Sequence, residues 1–122
     1  MKKIELFERA IAEQAGNLKD WGINPTLFWA YRNSIKAGND RIDFSEVIWD
    51  CDIEEITETL KENGISEFTI SSTFSGLISI LAEFAKHGFQ MAELTEVKGN
   101  CTDWQTQEQA VMPAIRMVAK EA

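Results

Sequence analysis

The chain has 122 residues, 44% of them hydrophobic and 26% charged, a composition that suits one globular domain and excludes a largely disordered chain. Its 20 acidic and 12 basic residues give a formal charge of −8, which disfavours direct binding of nucleic acid or an anionic membrane. Two cysteines without CxxC spacing exclude a disulfide scaffold, and the absence of a signal-peptide pattern or span-length apolar run leads us to expect a cytoplasmic protein.

The N-terminal third predicts a helical hairpin. Ile4, Phe7 and Ile11 recur at helical spacing, which predicts a first helix over about residues 2–15. Asn24 followed by Pro25 is typical of a helix start, and the run TLFWAYRNSIKA then ends at a glycine. We expect the large aromatic residues of this hairpin, and Trp49 after it, to lie mostly in the core.

Two helices and a strand are predicted in the middle of the chain. Residues 41–49 are compatible with a strand, a strand plus a turn, or a helical turn. Asp52 and Glu55 form a capping-box pattern at the start of the next helix, which Gly64 ends. The alternating run EFTIS predicts a strand, and the apolar segment Ser75–His87 predicts a second helix that ends at Gly88.

The C-terminal third predicts a hairpin of two strands. Phe89 and Met91 share one face of the first strand, but Ala92 and Leu94 continue the apolar pattern out of phase, which indicates a β-bulge. KGNCTDWQTQEQ is predicted to be a polar loop. VMPAIRMVAKE predicts the last strand, which Pro113 places at a sheet edge or makes begin there.

The order of these elements predicts an α/β or α+β fold with βαβ crossovers. We expect one domain over residues 1–122, in which residues 1–38 form the helical hairpin and residues 41–122 form a βαβαββ-like core. The sheet is expected to be small and mixed, with three to four strands and two crossover helices.

A cluster of hydroxyl side chains marks the carboxyl end of the EFTIS strand. In open α/β sheets ligands bind at this edge, and a helix N-terminus there offers free N–H groups to an anion. The chain has neither GxxxxGKS nor GxGxxG. We therefore expect the hydroxyls mainly to cap the helix, with a bound small molecule or phosphoester as the alternative. The residues concerned are Ser71, Ser72, Thr73 and Ser75.

Asp50 and Asp52 belong to the same candidate site if the segment before them is a strand parallel to EFTIS. Two carboxylates beside hydroxyls can hold a divalent cation, but an aspartate that opens a helix needs no ligand to explain it. We assign no metal and no cofactor. His87 is the only histidine, which excludes a histidine-rich metal site, and its position predicts a residue at a helix C-terminus.

Two features are candidates for contact with a partner protein. Trp104 lies in the predicted polar loop, where it can either contact a partner or fold down over the sheet. Six acidic residues fall within residues 50–62; they predict a solvated helix face, which is also the best surface for a basic partner.

The patterns VIW, LKENGI, FTISST and LTEV, over about the last 80 residues, resemble a family of small uncharacterised bacterial proteins. The resemblance implies an accessory protein carried on plasmids and integrative elements of Gram-positive bacteria, and it implies no catalytic motif.

These observations predict a non-enzymatic protein-binding module. The first alternative is a protein that handles a small molecule or phosphoester at the strand-to-helix edge. The second is an acidic mimic that occupies a DNA-binding protein. A large apolar patch would favour the module, an open cleft at the strand ends the small-molecule protein, and acids clustered on one face the mimic.

Overall fold

The computed structural model describes residues 4–13, 18–102, 105 and 108–120 of the chain. Two short 3-10 helices span Leu18–Trp21 and Asp50–Asp52. The longer helices are α1 (Glu5–Ala12), α2 (Pro25–Ala37), α3 (Ile53–Glu62) and α4 (Leu77–Lys86), and the strands are β1 (Asp43–Phe44), β2 (Glu67–Ile70), β3 (Phe89–Thr102) and β4 (Gln109–Ala119).

The four strands form one mixed sheet in the order β1-β2-β4-β3. β1 and β2 are parallel, and α3 connects them. β4 is antiparallel to both β2 and β3, so α4 crosses between two parallel strands that β4 separates. From β1 to β4 the elements follow in the order β1-α3-β2-α4-β3-β4. The predicted small mixed sheet is confirmed, and the fold is α+β.

The predicted bulge in β3 is confirmed, but the predicted edge position of the last strand is not. The register of β3 against β4 shifts between Met91 and Glu93, which confirms the bulge. β4 lies inside the sheet, so the prediction of an edge strand is wrong for the strand as a whole. Pro113 is tolerated because β2 ends at Ile70 opposite Ile115, and β4 has only β3 beside it at the proline. β3 also continues to Thr102, into the segment predicted as loop.

The N-terminal helical hairpin forms as the sequence predicts, within the described residues. The side chain of Asn24 caps α2 by accepting a hydrogen bond of 3.2 Å from the Leu27 N–H, with Pro25 at the first helical position. Phe7 of α1 packs edge-on against Phe28 and Tyr31 of α2. These aromatic contacts hold the two helices together.

The helix ends at Gly64 and Gly88 were predicted correctly, but the capping box at the start of α3 was not. Gly64 and Gly88 adopt φ values of 67° and 94°, as expected for glycines that end helices. His87 occupies the C-terminal cap position of α4. Asp52 forms no side-chain capping bond to α3, because its carboxylate is bonded elsewhere, so the capping box is wrong.

The core is one cluster to which the four longer helices and the sheet all contribute, and the aromatic rings of the sheet meet α4 within it. Phe68 is fully buried, and its ring centroid lies 5.0–5.3 Å from those of Phe44, Phe84 and Phe89. Alternation along β1 and β2 turns Asp43 and Thr69 to the opposite side of the sheet from these rings. None of the helices in the described part of the chain is both long and apolar enough to cross a membrane.

Candidate functional site

A buried carboxylate joins the carboxyl ends of the two parallel strands. Asp43 of β1 is only 4% exposed, and its two carboxylate oxygens accept hydrogen bonds of 2.6 Å from the hydroxyls of Thr69 and Ser71. Its backbone N–H donates to the Ser34 hydroxyl of α2 at 2.8 Å. Ser71 is therefore engaged in joining the strands.

Burial raises the pKa of Asp43, because a charged carboxylate loses its hydration inside the protein. The hydrogen bonds from Ser71 and Thr69, and the positive charge of Arg41, lower the pKa and offset part of this effect. Sequence reasoning missed Asp43 because the strand that carries it has only two residues. The alternation of Asp43 with two buried apolar neighbours, Ile42 and Phe44, was the available signal.

The hydroxyls of the 71–75 segment do not cap α4, so that prediction is wrong. The N-cap position of α4 is Gly76, and no side chain of the described residues makes a capping bond there. The chain turns into the helix through backbone bonding instead, with the Leu77 N–H donating to the Phe74 carbonyl at 3.1 Å. The Ser72 hydroxyl oxygen is buried without a hydrogen-bond partner in the described part of the chain, while Thr73 and Ser75 are exposed.

Asp52 and Asp50 differ in environment. The Asp52 carboxylate accepts hydrogen bonds from the Asn24 amide at 3.2 Å and the Thr26 hydroxyl at 3.0 Å, both at the start of α2. It thereby fixes the beginning of α3 against the beginning of α2. Asp50 is exposed. Asp52 is therefore bonded to the start of α2, whereas Asp50 faces solvent.

An open groove lies beside this junction, after the carboxyl end of β1. Its volume is about 180 Å³. One wall is the N-terminal half of α2, and the other is the segment that leaves β1. The lining residues are Pro25, Thr26, Trp29, Ala30, Asn33, Phe44, Ser45, Glu46, Val47 and Trp49.

Large apolar side chains stand exposed around this groove. Trp29 is 46% exposed, Val47 44% and Trp49 63%. The expectation that the aromatic residues of this region lie in the core holds for Phe28 and Tyr31, but it is wrong for Trp29 and Trp49. Helical spacing could have distinguished them: Leu27, Phe28 and Tyr31 follow one buried stripe of α2, and Trp29 falls outside it.

Acidic side chains continue from the groove along α3. Glu46 lines the groove, and Asp50 follows Trp49 immediately; both are exposed. The exposed face of α3 then carries four more carboxylates, those of Glu54, Glu55, Glu58 and Glu62. The acidic cluster predicted for residues 50–62 is therefore a solvated helix face for the most part.

No group of three or more His, Cys, Asp or Glu side chains that could hold a metal ion occurs among residues 4–13, 18–102, 105 and 108–120. Cys51 is exposed and free. Trp104, the predicted partner contact, lies outside the described residues.

A family model described as "Domain of unknown function (DUF7698)" matches residues 26–119. The chain belongs to the DUF7698 family. No curated protein and no solved structure matches the chain. The DUF7698 match includes every lining residue of the groove except Pro25, all four strands and the buried Asp43, and it leaves α1 outside.

Proposed function

We propose that the protein is a non-enzymatic protein-binding module whose binding surface is the groove between Trp29 and Trp49. The observation that carries the proposal is the exposure of these two indoles, with Val47, around one concavity. Exposed apolar groups that are grouped rather than scattered mark interaction sites, and Trp is enriched among the residues that dominate binding energy.

The size of the groove favours a protein partner over a small molecule. Pockets for small molecules commonly hold about 300–1,000 Å³ and enclose most of the ligand, whereas this groove has about 180 Å³ and is rimmed by exposed side chains. It has room for one large side chain of a partner, whose remaining surface would cover the rims of both indoles.

The buried acid does not support a catalytic role. Asp43 is 4% exposed and both of its oxygens accept short hydrogen bonds, so a substrate would have to break these bonds to reach it. The alternative function, handling of a small molecule or phosphoester at the strand-to-helix edge, is less favoured because Ser71 and Asp52 are bonded to other parts of the fold. The acidic mimic is favoured by one observation, the row of exposed carboxylates on α3.

The sequence resemblance suggests the kind of organism and genetic element that carry the protein. We infer an accessory protein of Gram-positive bacterial plasmids and integrative elements, acting in the cytoplasm. This part of the proposal is supported by the resemblance and by the composition of the chain alone.

The test is a selection of random peptides displayed on phage against the folded protein, with each recovered peptide then measured against Trp49→Ala. Trp49 is the better site for substitution because it is the more exposed indole. We expect peptides whose binding is lost in Trp49→Ala and kept in Leu94→Ala, which removes an apolar side chain that is 75% exposed on β3. Thermal melts of both variants establish that they are folded.

Two outcomes would overturn the proposal. One is that no peptide depends on Trp49 although the wild-type protein is folded. The other is that the recovered peptides depend on Leu94 instead, which would move the binding surface to the exposed apolar side chains of the β3–β4 hairpin, such as Met91 and Val111.

A further inference from the structure

The negative charge of the chain is concentrated in the segment that forms one wall of the groove and continues into α3. Residues 43–62 contain eight acidic residues and one basic residue, a formal charge of −7, while the whole chain has −8. This segment supplies the wall of the groove from Phe44 to Trp49 and then forms α3. The rest of the chain is close to neutral.

Most of these charges face solvent. Asp43 is buried, and Asp52 is bonded to the start of α2. The other six acids of residues 43–62 are exposed. The ammonium of Lys61, the one basic residue, donates a hydrogen bond of 2.7 Å to the His87 carbonyl at the end of α4. The segment therefore presents six exposed carboxylates to a partner.

The groove itself combines a carboxylate with two indoles. Glu46 is the one charged side chain among its described lining residues. Trp29 already contacts a cation of this chain, because the Arg32 guanidinium carbon lies 5.4 Å from the ring centroid. Arg32 itself is not one of the residues that line the groove. Indole faces and a carboxylate together attract a guanidinium or ammonium group.

Resting on the groove function proposed above, we propose that the occupant is a basic segment of a partner protein, with one cationic side chain held against Trp29 and Trp49. Further positive charges of that segment face the carboxylates of α3. A neutral or acidic segment fits poorly, because covering Glu46 would remove its hydration without supplying a counter-charge. The long apolar stem of arginine or lysine also suits the apolar lining, since the stem can lie along apolar surface while the charged end meets the acids.

The experiment uses the peptides selected on the wild-type protein, measured by isothermal titration. We expect arginine or lysine to be enriched among the Trp49-dependent peptides. Replacing the critical arginine by citrulline keeps the shape and removes the charge; for a lysine, norleucine serves the same purpose. We expect this change to weaken binding to the wild-type protein about tenfold, because the uncharged side chain is attracted neither by the indole faces nor by Glu46.

The acids of the groove and α3 are tested separately. We expect Glu46→Gln and Glu54→Gln to weaken binding and to reduce its dependence on salt concentration, since each removes an attracting charge. Glu96→Gln, a matched loss of one exposed acid on β3, serves as the control and is expected to leave binding unchanged.

The results separate this inference from the proposed function. Trp49-dependent peptides that lack cationic residues, or that bind equally well after the charge is removed, overturn the basic partner and leave the groove as a binding surface. If Glu96→Gln and Glu46→Gln weaken peptide binding equally, the effect depends on net charge alone, and the basic partner is also overturned. If no peptide depends on Trp49, both proposals fail.

Discussion

The hydrogen bonds of Asp43 yield a prediction about stability and its pH dependence. Asp43→Ala leaves the fully buried Thr69 hydroxyl without its acceptor, which costs about 1–3 kcal/mol, while the half-buried Ser71 hydroxyl can turn to water. The substitution also removes a buried charge, which offsets part of this loss. We expect Asp43→Ala to lower the free energy of unfolding by about 2 kcal/mol.

Asp43→Asn is expected to behave differently. An amide oxygen still accepts from one hydroxyl, the amide N–H can donate to the other, and no charge is buried. We therefore expect the free energy of unfolding at neutral pH to equal or exceed that of the wild type. Urea unfolding of the three proteins, followed by circular dichroism over a range of pH, measures these differences.

The sign of the pH effect follows from the raised pKa. The folded protein holds the Asp43 proton more tightly than the unfolded chain does, so wild-type stability falls as pH rises from the ordinary value of 3.8 to the raised pKa. Asp43→Asn lacks this group, so its stability relative to the wild type should increase across that window and then stay constant. An Asn variant that is as unstable as Asp43→Ala at neutral pH, with no pH-dependent difference from the wild type, would show that burial of the charged carboxylate does not destabilise the fold.

Three further predictions concern other parts of the fold. Gly64→Val and Gly88→Val should each lower the free energy of unfolding, measured by urea unfolding, by about 1 kcal/mol or more, because both glycines have positive φ. The same substitution at a helix end with negative φ would not cause this backbone strain. Tyr31, the only tyrosine, has its pKa raised to about 12 by burial and by its hydrogen bond to Glu8, so stability should fall as pH rises from 10 to 12, and tyrosinate absorbance that develops near pH 10 in the folded protein would contradict this. Asp52→Ala should weaken the binding of peptides to the groove and lower the melting temperature of the protein, because it removes the hydrogen bonds that join the start of α2 to α3. An unchanged affinity would show that this junction does not shape the groove.

Much of the fold could be predicted because its signals are local. Gly38 and Gly64 end helices through their own backbone conformation, and Asn24 caps its own helix, so neighbouring residues contain the information. The bulge after Met91 was visible as a change in the alternation of a single strand. The order of helices and strands follows from such signals.

The candidate site was harder to predict because its contacts are distant in sequence. Ser71 and Asp52 are residue types that commonly cap helices, but each forms its hydrogen bonds with residues at least 26 positions away in the sequence. Ser71 bonds to β1, and Asp52 bonds to the start of α2. A tertiary hydrogen bond competes directly with a local cap for the same side-chain oxygen. The exposure of Trp49 likewise depends on how the segment after β1 meets α2, which no local pattern encodes.

The most direct test of the binding groove is an NMR titration that follows the indole N–H signals of the four tryptophans, assigned by substitution. The titrant is the tightest peptide selected on the wild-type protein. We expect the signals of Trp29 and Trp49 to shift together, with one dissociation constant. The signal of Trp21, which contacts Arg9 and does not line the groove, is expected to stay in place. Saturating binding that leaves the signals of Trp29 and Trp49 unshifted would show that the groove is not the binding surface.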